Sequence, residues 1–238
     1  MNKTLHYFWF GGNEKPESVM KCIKSWEKYL PDFEIKEWNE SNFDVHMNTY
    51  ISQAYEAKKY AFVSDFARFY ILEKYGGLYF DTDVEIIKPI DKLLENDAFA
   101  GKENPDFVSP GLVLWVKEPH NPIMREAIEY YETHSFLNEN GERIKINVCG
   151  IFTGIMKKHG FTPSDVVQVC GGFTIFPPEY FNPFDDATGK LNKTENTYTI
   201  HWYSKTWMSK RKILRNKCTR VIHRIFGVDI KQKLLGKK

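Results

Sequence analysis

No stretch of this 238-residue chain stays apolar for the roughly 18–20 residues that a membrane-crossing helix requires. The opening residues, MNKTLHYFWFGG, hold one lysine, a short apolar run and no small-residue cleavage site, so they do not read as a secretory leader. Cysteine is scarce: Cys22, Cys149, Cys170 and Cys218 lie far apart with no C-x-x-C, which points to reduced thiols in a cytoplasmic setting. In that setting the sequon Asn192-Lys193-Thr194 carries no message. Internal repeats and low-complexity tracts are absent. So are G-x-x-x-x-G-K and G-x-G-x-x-G, the loops that cradle phosphates on backbone amides. A phosphorylated ligand would have to be held by other means, which favours a metal.

What is present suits one large α/β domain. The chain is 42% hydrophobic, 16% aromatic and 27% charged, a globular composition. Its net charge of +2 hides an asymmetry. Residues 205–238 hold 12 Lys/Arg against one acid, Asp229, whereas residues 1–204 hold 21 basic and 30 acidic groups. Between Ser209 and Phe226, Leu214, Cys218, Val221, Ile222 and Ile225 fall on one helical stripe, with Lys210, Lys212, Lys217, Arg220 and Arg224 around the remainder. This predicts a basic amphipathic helix. The division expected is a catalytic domain over 1–207 and a tail over 208–238 that holds an anionic membrane surface through residues 209–226. The plainer alternative is a terminal helix that docks its apolar stripe on the domain. Nucleic acid is not an expected partner, because no recognised binding module is present.

The chain is organised around Ser64 to Ile90, SDFARFYILEKYGGLYFDTDVEIIKPI. Ser64 suits a helix N-cap and Asp65 the first turn. Gly76-Gly77 suits a C-terminal stop, because glycine adopts the left-handed conformation freely. Leu78-Tyr79-Phe80 reads as a buried strand that delivers Asp81-Thr82-Asp83 at its C-terminal end, where open α/β sheets bind ligands. Carboxylates at i and i+2 point to opposite faces of a strand. The strand is therefore expected to end at Asp81 and bend, so that both carboxylates converge on a cation. Hard oxygen ligands beside a diphosphate suit Mg²⁺ or Mn²⁺.

Elsewhere, residues 5–10 and 33–38 read as strands flanking a helix that begins at Pro16. Residues 44–61 read as helical, and 84–87, 98–101, 112–116 and 197–200 as strands. Helices are expected over 123–131 and from about 149 to Gly160. The proline-punctuated run 174–184 reads as an extended surface loop that covers something.

The block Leu5-His6-Tyr7-Phe8-Trp9-Phe10-Gly11-Gly12, then Ser64-Asp65-x-x-Arg68 and Gly76-Gly77-x-Tyr79-x-Asp81-x-Asp83, resembles glycosyltransferase family 32. It is also similar to the catalytic domains of large glucosylating toxins. The resemblance covers roughly residues 3–207. It implies a GT-A type fold and transfer of a hexose from a nucleotide sugar, most simply a UDP-sugar, with retention of configuration and a divalent cation. Carried over residue by residue, it implies that Trp9 stacks on the base and that Asp65 and Arg68 reach the donor sugar and diphosphate. Tyr79 lines the donor site, Asp81 touches ribose and metal, and Asp83 ligates the metal. Asn42 is a weaker candidate for a base or ribose contact. The run His201-Trp202-Tyr203-Ser204-Lys205-Thr206-Trp207 departs from the family's pattern. There His201 is the expected third metal ligand, with Ser204 as the alternative, and Lys205 and Trp207 close over the diphosphate.

Each residue also has a plainer reading. Trp9 and Tyr79 suit core packing, Arg68 a helix surface, and His201 a structural strand end. Two rival functions bear on the same residues. A D-x-D phosphohydrolase wants Thr or Val two residues after the second aspartate, where this chain has Glu85. A non-catalytic nucleotide-sugar or membrane-binding module would need the same donor site without turnover. The acceptor expected is a growing surface glycan or lipid-linked oligosaccharide, reached from the inner face of the cell membrane.

Overall fold

Leu5 and Tyr7 alternate with Thr4, His6 and Phe8 along the first strand, and all five are buried. A strand buried on both faces needs a layer on each side. The computed structural model, which describes residues 2–205 and 210–230, supplies both layers. In chain order the elements are β1 (Thr4–Phe8), α1 (Glu17–Tyr29), β2 (Glu34–Trp38), α2 (Thr49–Glu56), α3 (Tyr60–Tyr75), β3 (Gly77–Tyr79) and β4 (Val84–Ile86). Then follow β5 (Ala98–Asn104), β6 (Phe107–Val116), α4 (Pro122–Thr133), α5 (Val148–Lys158), β7 (Gln168–Cys170) and β8 (Phe173–Phe176). The last are α6 (Pro178–Phe181), β9 (Phe184–Asp185), β10 (Lys190–Leu191), β11 (Thr199–His201) and α7 (Lys210–Phe226).

Seven strands form a mixed sheet in the order β2-β1-β3-β6-β5-β8-β7. β1 runs parallel to β2 and β3, and β6 is antiparallel to both β3 and β5. Phe66, Phe69, Tyr131 and Phe152 from α3, α4 and α5 pack on one face, with Phe8 and Tyr79. Trp26 of α1, Phe80, Phe99 and Trp115 fill the other. Each such side chain contributes about 1.5–3 kcal/mol on burial. This is the mixed α/β architecture expected from the sequence.

The first and middle sequence blocks meet through one hydrogen-bond chain. The His6 Nε2–H donates to the Gly76 carbonyl at 3.0 Å, and Nδ1 accepts from the Trp38 indole N–H at 3.1 Å. Indole only donates, so the imidazole is neutral with its proton on Nε2. Burial drives the His6 pKa down to about 4, with Lys36 adding to the shift against the Gly76 bond. Gly76 and Gly77 have φ of +65° and +99°, and a Cβ on Gly77 would lie 2.6 Å from the Thr4 carbonyl oxygen. Glycine there lets β3 seat against β1 and aim the two aspartates at the sheet's C-terminal edge.

Three expectations need correction. Ser64 is not an N-cap: α3 begins at Tyr60, and Ser64 Oγ–H donates to the Tyr60 carbonyl at 3.2 Å inside the helix. Residues 44–61 are not one helix, because α2 stops at Glu56 and Lys58, at φ +56°, turns the chain into α3. Residues 174–184 are not a surface loop. β8 joins the main sheet parallel to β5, and Phe181 is buried against Phe99. Pro177 and Pro178 open the short helix α6, where a missing N–H costs nothing.

Candidate active site

β3 ends at Tyr79, and the Val84 N–H donates to the Asp81 carbonyl at 3.1 Å across a turn at Thr82-Asp83. The turn cancels the strand alternation and brings both carboxylates to one side. β11 then pairs antiparallel with β4, setting His201 opposite Val84, and the Trp202 N–H donates to the Asp83 carbonyl at 2.9 Å. This ladder delivers His201 Nε2 to within 2.9 Å of Asp83 Oδ1. Ligand atoms of Asp81, Asp83 and His201 all lie within 4.8 Å of one another.

Asp83 is further held by the Ser204 N–H at 2.7 Å and the Ser204 hydroxyl at 3.1 Å. Burial alone would raise its pKa, but the His201 imidazolium and the Ser204 bonds outweigh this and hold it at about 2. For His201, burial favours the neutral ring and Asp83 more than reverses that, so its pKa is raised. Tyr203 and Lys205 flank Ser204 at φ +48° and +53°, a pair of left-handed residues that wrap the chain around the Asp83 carboxylate.

Arg68 is 3% exposed. Its Nη2 contacts Asp65 Oδ1 at 2.8 Å and Asp81 Oδ1 at 3.3 Å, Nε–H donates to the Ser64 carbonyl, and the guanidinium lies over the Tyr79 ring. The Tyr79 hydroxyl donates to Asp81 Oδ1 at 2.5 Å. Burial pushes the Asp65 carboxyl up to about 7 despite Arg68, with repulsion from Asp81 adding to the rise. Four buried side-chain polar atoms have no partner among the described residues, and two of them, Arg68 Nη1 and His201 Nδ1, belong to residues that line one cleft. Such atoms are costly unless a ligand completes them.

A cleft of about 980 Å³ opens over these groups, lined by Trp9, Asp65, Arg68, Tyr79, Asp81, Asp83, His201, Ser204 and Lys205 among others. That volume is at the upper end for small-molecule sites, which span about 300–1,000 Å³. Asn42 lies outside the lining. Its side chain accepts from the Asn39 N–H and donates to the Glu37 carbonyl, closing its own loop. Trp9 lines the mouth, with its indole N–H given to the Asn13 carbonyl at 2.6 Å. The Lys205 ammonium is held by Asp186 at 2.6 Å. Trp207 lies outside the described residues.

Two features escape a reading by motif. The Gly111 carbonyl accepts from the Asp81 N–H at 3.1 Å, and the β5–β6 register shifts between Ala100 and Gly101, leaving residues 110–113 of β6 unpaired with β5. A Cβ on Gly111 would lie 2.2 Å from Asp81 Oδ2 and 3.1 Å from Arg68 Nη1. The available signal was a Pro-Gly inside a strand pattern, which marks a bulge or a close approach. The second is Asp186, which joins Lys205 to Arg220 of α7. α7 docks by its basic side: Arg220, His223 and Arg224 bond residues 186–189 between β9 and β10. Its apolar stripe is left outward, with Leu214 64%, Val221 57% and Ile225 66% exposed.

The donor set fits a divalent cation. Two carboxylates and an imidazole, one ring nitrogen of which has no partner, are ligands that Mn²⁺ accepts readily and Mg²⁺ less so.

Residues 16–100 match a family model described as a glycosyltransferase sugar-binding region containing a DXD motif. The match bears out the family resemblance drawn from the sequence. Inositol phosphoceramide mannosyltransferase 3 of Schizosaccharomyces pombe is 28% identical over 142 residues, 56% of this chain and 38% of that protein. Inositol phosphoceramide mannosyltransferase 1 of the same yeast is 29% identical over 108 residues, 41% of this chain and 32% of that protein. The chain thus spans well under half the length of these curated relatives. Among solved structures, the PaToxG glycosyltransferase aligns with a TM-score of 0.49 at 17% identity, covering 66% of this chain and 69% of that one.

Proposed function

We infer, from the premise that residues 16–100 match the sugar-binding region of DXD glycosyltransferases, that this chain transfers a hexose from a nucleotide sugar to a glycan or lipid-linked acceptor. The observation that carries the inference is the convergence of Asp81, Asp83 and His201 beside the buried Arg68 on the floor of one cleft. Asp81, Asp83 and His201 would hold Mn²⁺ or Mg²⁺. When bound, the cation supplies Lewis-acid neutralisation of the charge that develops on the leaving diphosphate.

The chain's own groups support the rest. Arg68 has an unshared N–H to offer a phosphate or sugar oxygen, in a water-poor site where such a donor is strongest. Tyr79 stays a phenol, because burial raises its pKa well above the usual value, and it fixes the Asp81 carboxylate. Retention is proposed through attack from the face that the diphosphate leaves. The acceptor oxygen bonds to the anomeric carbon, the bond from that carbon to the phosphate oxygen breaks, and the leaving oxygen takes the acceptor's proton. Double displacement would need a free carboxylate on the other face. Here Asp65, Asp81 and Asp83 are already engaged with Arg68, Tyr79, His201 and Ser204.

The outward apolar stripe of α7, bordered by lysine and arginine, supports peripheral attachment to an anionic membrane face, and with it a cytoplasmic site of action. No helix among the described residues is long and apolar enough to cross a membrane. A screen of nucleotide sugars for Mn²⁺- or Mg²⁺-dependent hydrolysis tests the reading, with Asp83→Asn as control. UDP-hexose turnover that the control lacks is expected. No turnover of any donor, with or without acceptor, would assign the site to binding alone.

A further inference from the structure

Five lysine and arginine residues line the cleft (Lys58, Arg68, Arg143, Lys145, Lys205) against four carboxylates, Glu14, Asp65, Asp81 and Asp83. Of its cationic lining residues, Arg68 is paired with Asp65 and Asp81, and Lys205 with Asp186. Lys58, Arg143 and Lys145 also line it, and none of the three takes part in an ion pair among the described residues. Arg143 and Lys145 belong to the loop before α5, whose sequence Arg143-Ile144-Lys145-Ile146 alternates cation and isoleucine. Both isoleucines are exposed, at 40% and 37%, and Ile146 lines the cleft. Glu139 and Glu142 lie on the same loop but not on the cleft wall.

The loop is anchored. Phe136 is buried at its base, and the Phe136 and Leu137 N–H groups both donate to Gln53 Oε1 at 3.1 Å. The Ile144 N–H donates to the Phe136 carbonyl at 3.0 Å. The Arg143 guanidinium lies 5.0 Å from the Phe62 ring centroid on the first turn of α3, which sets it against the wall of the cleft. The Asn147 side chain then caps α5. Two unpaired cations interleaved with two exposed isoleucines make a surface for a molecule with an anionic head and an apolar tail.

We propose that the loop Arg143–Ile146, together with Lys58 on the same cleft lining, is the acceptor subsite, and that the acceptor is an amphiphile with a phosphate-bearing headgroup next to the sugar being extended. The proposal rests on the transferase reading and narrows it. Arg143 and Lys145 take the phosphate, Lys58 adds a third positive charge, and Ile144 and Ile146 cover the first carbons of the lipid chain. A neutral glycan would leave these three cations without a counter-charge, whereas a phosphate supplies one. The volume of about 980 Å³ leaves room for an acceptor head beside a donor.

The test is calorimetric binding of decyl phosphate to the full chain, below its micelle concentration, beside decyl glucoside and inorganic phosphate. A cation near an anionic headgroup is worth roughly fivefold in affinity, so Arg143→Ala/Lys145→Ala should weaken decyl phosphate about thirtyfold. Decyl glucoside should be unaffected by that pair. Ile144→Ser/Ile146→Ser should weaken both decyl ligands and leave inorganic phosphate unchanged. α7 is the same in every variant, so the differences belong to the loop, and unchanged melting temperatures confirm the fold. Equal affinity for decyl phosphate before and after Arg143→Ala/Lys145→Ala would overturn the proposal, as would an equal loss for decyl glucoside. Inorganic phosphate bound as tightly as decyl phosphate would replace the amphiphile with a free phosphate. Nucleotide-sugar turnover by the unaltered chain is measured separately. If it is absent, the transferase reading fails and the binding comparison still decides what the loop holds.

Discussion

Replacing Gly111 by alanine adds one methyl group where the structure has no room for it. The new Cβ would lie 2.2 Å from Asp81 Oδ2 and 3.0 Å from Asp81 Cγ, well inside contact distance. The strand backbone cannot retreat easily, because the Gly111 carbonyl holds the Asp81 N–H. The carboxylate must swing away, losing the Tyr79 hydroxyl at 2.5 Å and Arg68 at 3.3 Å. Hydrogen bonds to charged groups are worth about 1.5–3 kcal/mol each, and overpacking a filled site costs about 1–3 kcal/mol. A net loss of about 3 kcal/mol is expected, which lowers Tm by roughly 6–12 °C in a chain of this size. Losing the partners that orient a cation ligand costs on the order of 10–100-fold in metal affinity or activity. Titration of Mn²⁺ followed by electron paramagnetic resonance reads that affinity without any substrate. Gly101→Ala is the control. Gly101 lies on the neighbouring strand β5, and its Cβ would meet the Phe181 ring of α6 at 2.7 Å, so the substitution should lower Tm and leave Mn²⁺ affinity unchanged. In an Asp81→Asn background, Gly111→Ala should cost no further Mn²⁺ affinity, because its effect passes through Asp81. Wild-type Mn²⁺ affinity in Gly111→Ala would refute the reasoning.

Other predictions follow from the same contacts. His6 is neutral and buried, with its pKa lowered from 6.5 to about 4. Its contribution to stability is therefore complete above about pH 6.5 and lost as pH falls toward 4, amounting to about 2 kcal/mol by pH 5. Denaturant unfolding of wild type and His6→Gln at pH 7 and pH 5 should show that extra loss in the wild type alone. Asp83→Asn should abolish Mn²⁺ binding and return the His201 pKa toward the ordinary histidine range, since the raised value depends on Asp83; proton-detected titration of the ring measures it. Val221→Ser/Ile225→Ser should remove pelleting with anionic vesicles and leave Tm unchanged, because both side chains are already exposed. A chain ending near Trp207 should likewise lose vesicle pelleting while keeping activity on soluble acceptors, and vesicle binding that survives the truncation would assign attachment to another surface.

Local patterning was enough to place β1, α1, β2, the glycine stop, β3 and the paired aspartates. Those features depend on neighbours in sequence: period-two burial, positive φ at glycine, and a strand end that must bend for i and i+2 to converge. The start of α3 was misplaced because Ser64, a good cap residue, is also tolerated inside a helix when its hydroxyl bonds back to the carbonyl four residues earlier. Residues 174–184 were misread because proline marks the ends of elements as often as loops, and here it brackets α6 behind a buried strand.

The site itself divides along the same line. Asp65, Arg68, Tyr79, Asp81 and Asp83 come from one run of 19 residues: spacing put Asp81 and Asp83 at a strand end, and the family resemblance added Tyr79 and, on α3, Asp65 and Arg68. His201 reaches them across 118 residues of chain through the β4–β11 ladder, and Gly111 through the β3–β6 pairing. Pairing partners that distant are chosen by the packing of the whole chain, β4 and β11 forming a two-stranded sheet of their own, and no local propensity encodes them. Exposure is settled in the same way. The hydrophobic stripe of α7 was legible as a stripe, but only the folded chain shows that Arg220 and Arg224 turn inward and leave the apolar side facing out. Residue type and spacing specify what chemistry a chain can perform, and the packing of distant segments specifies which of those groups meet.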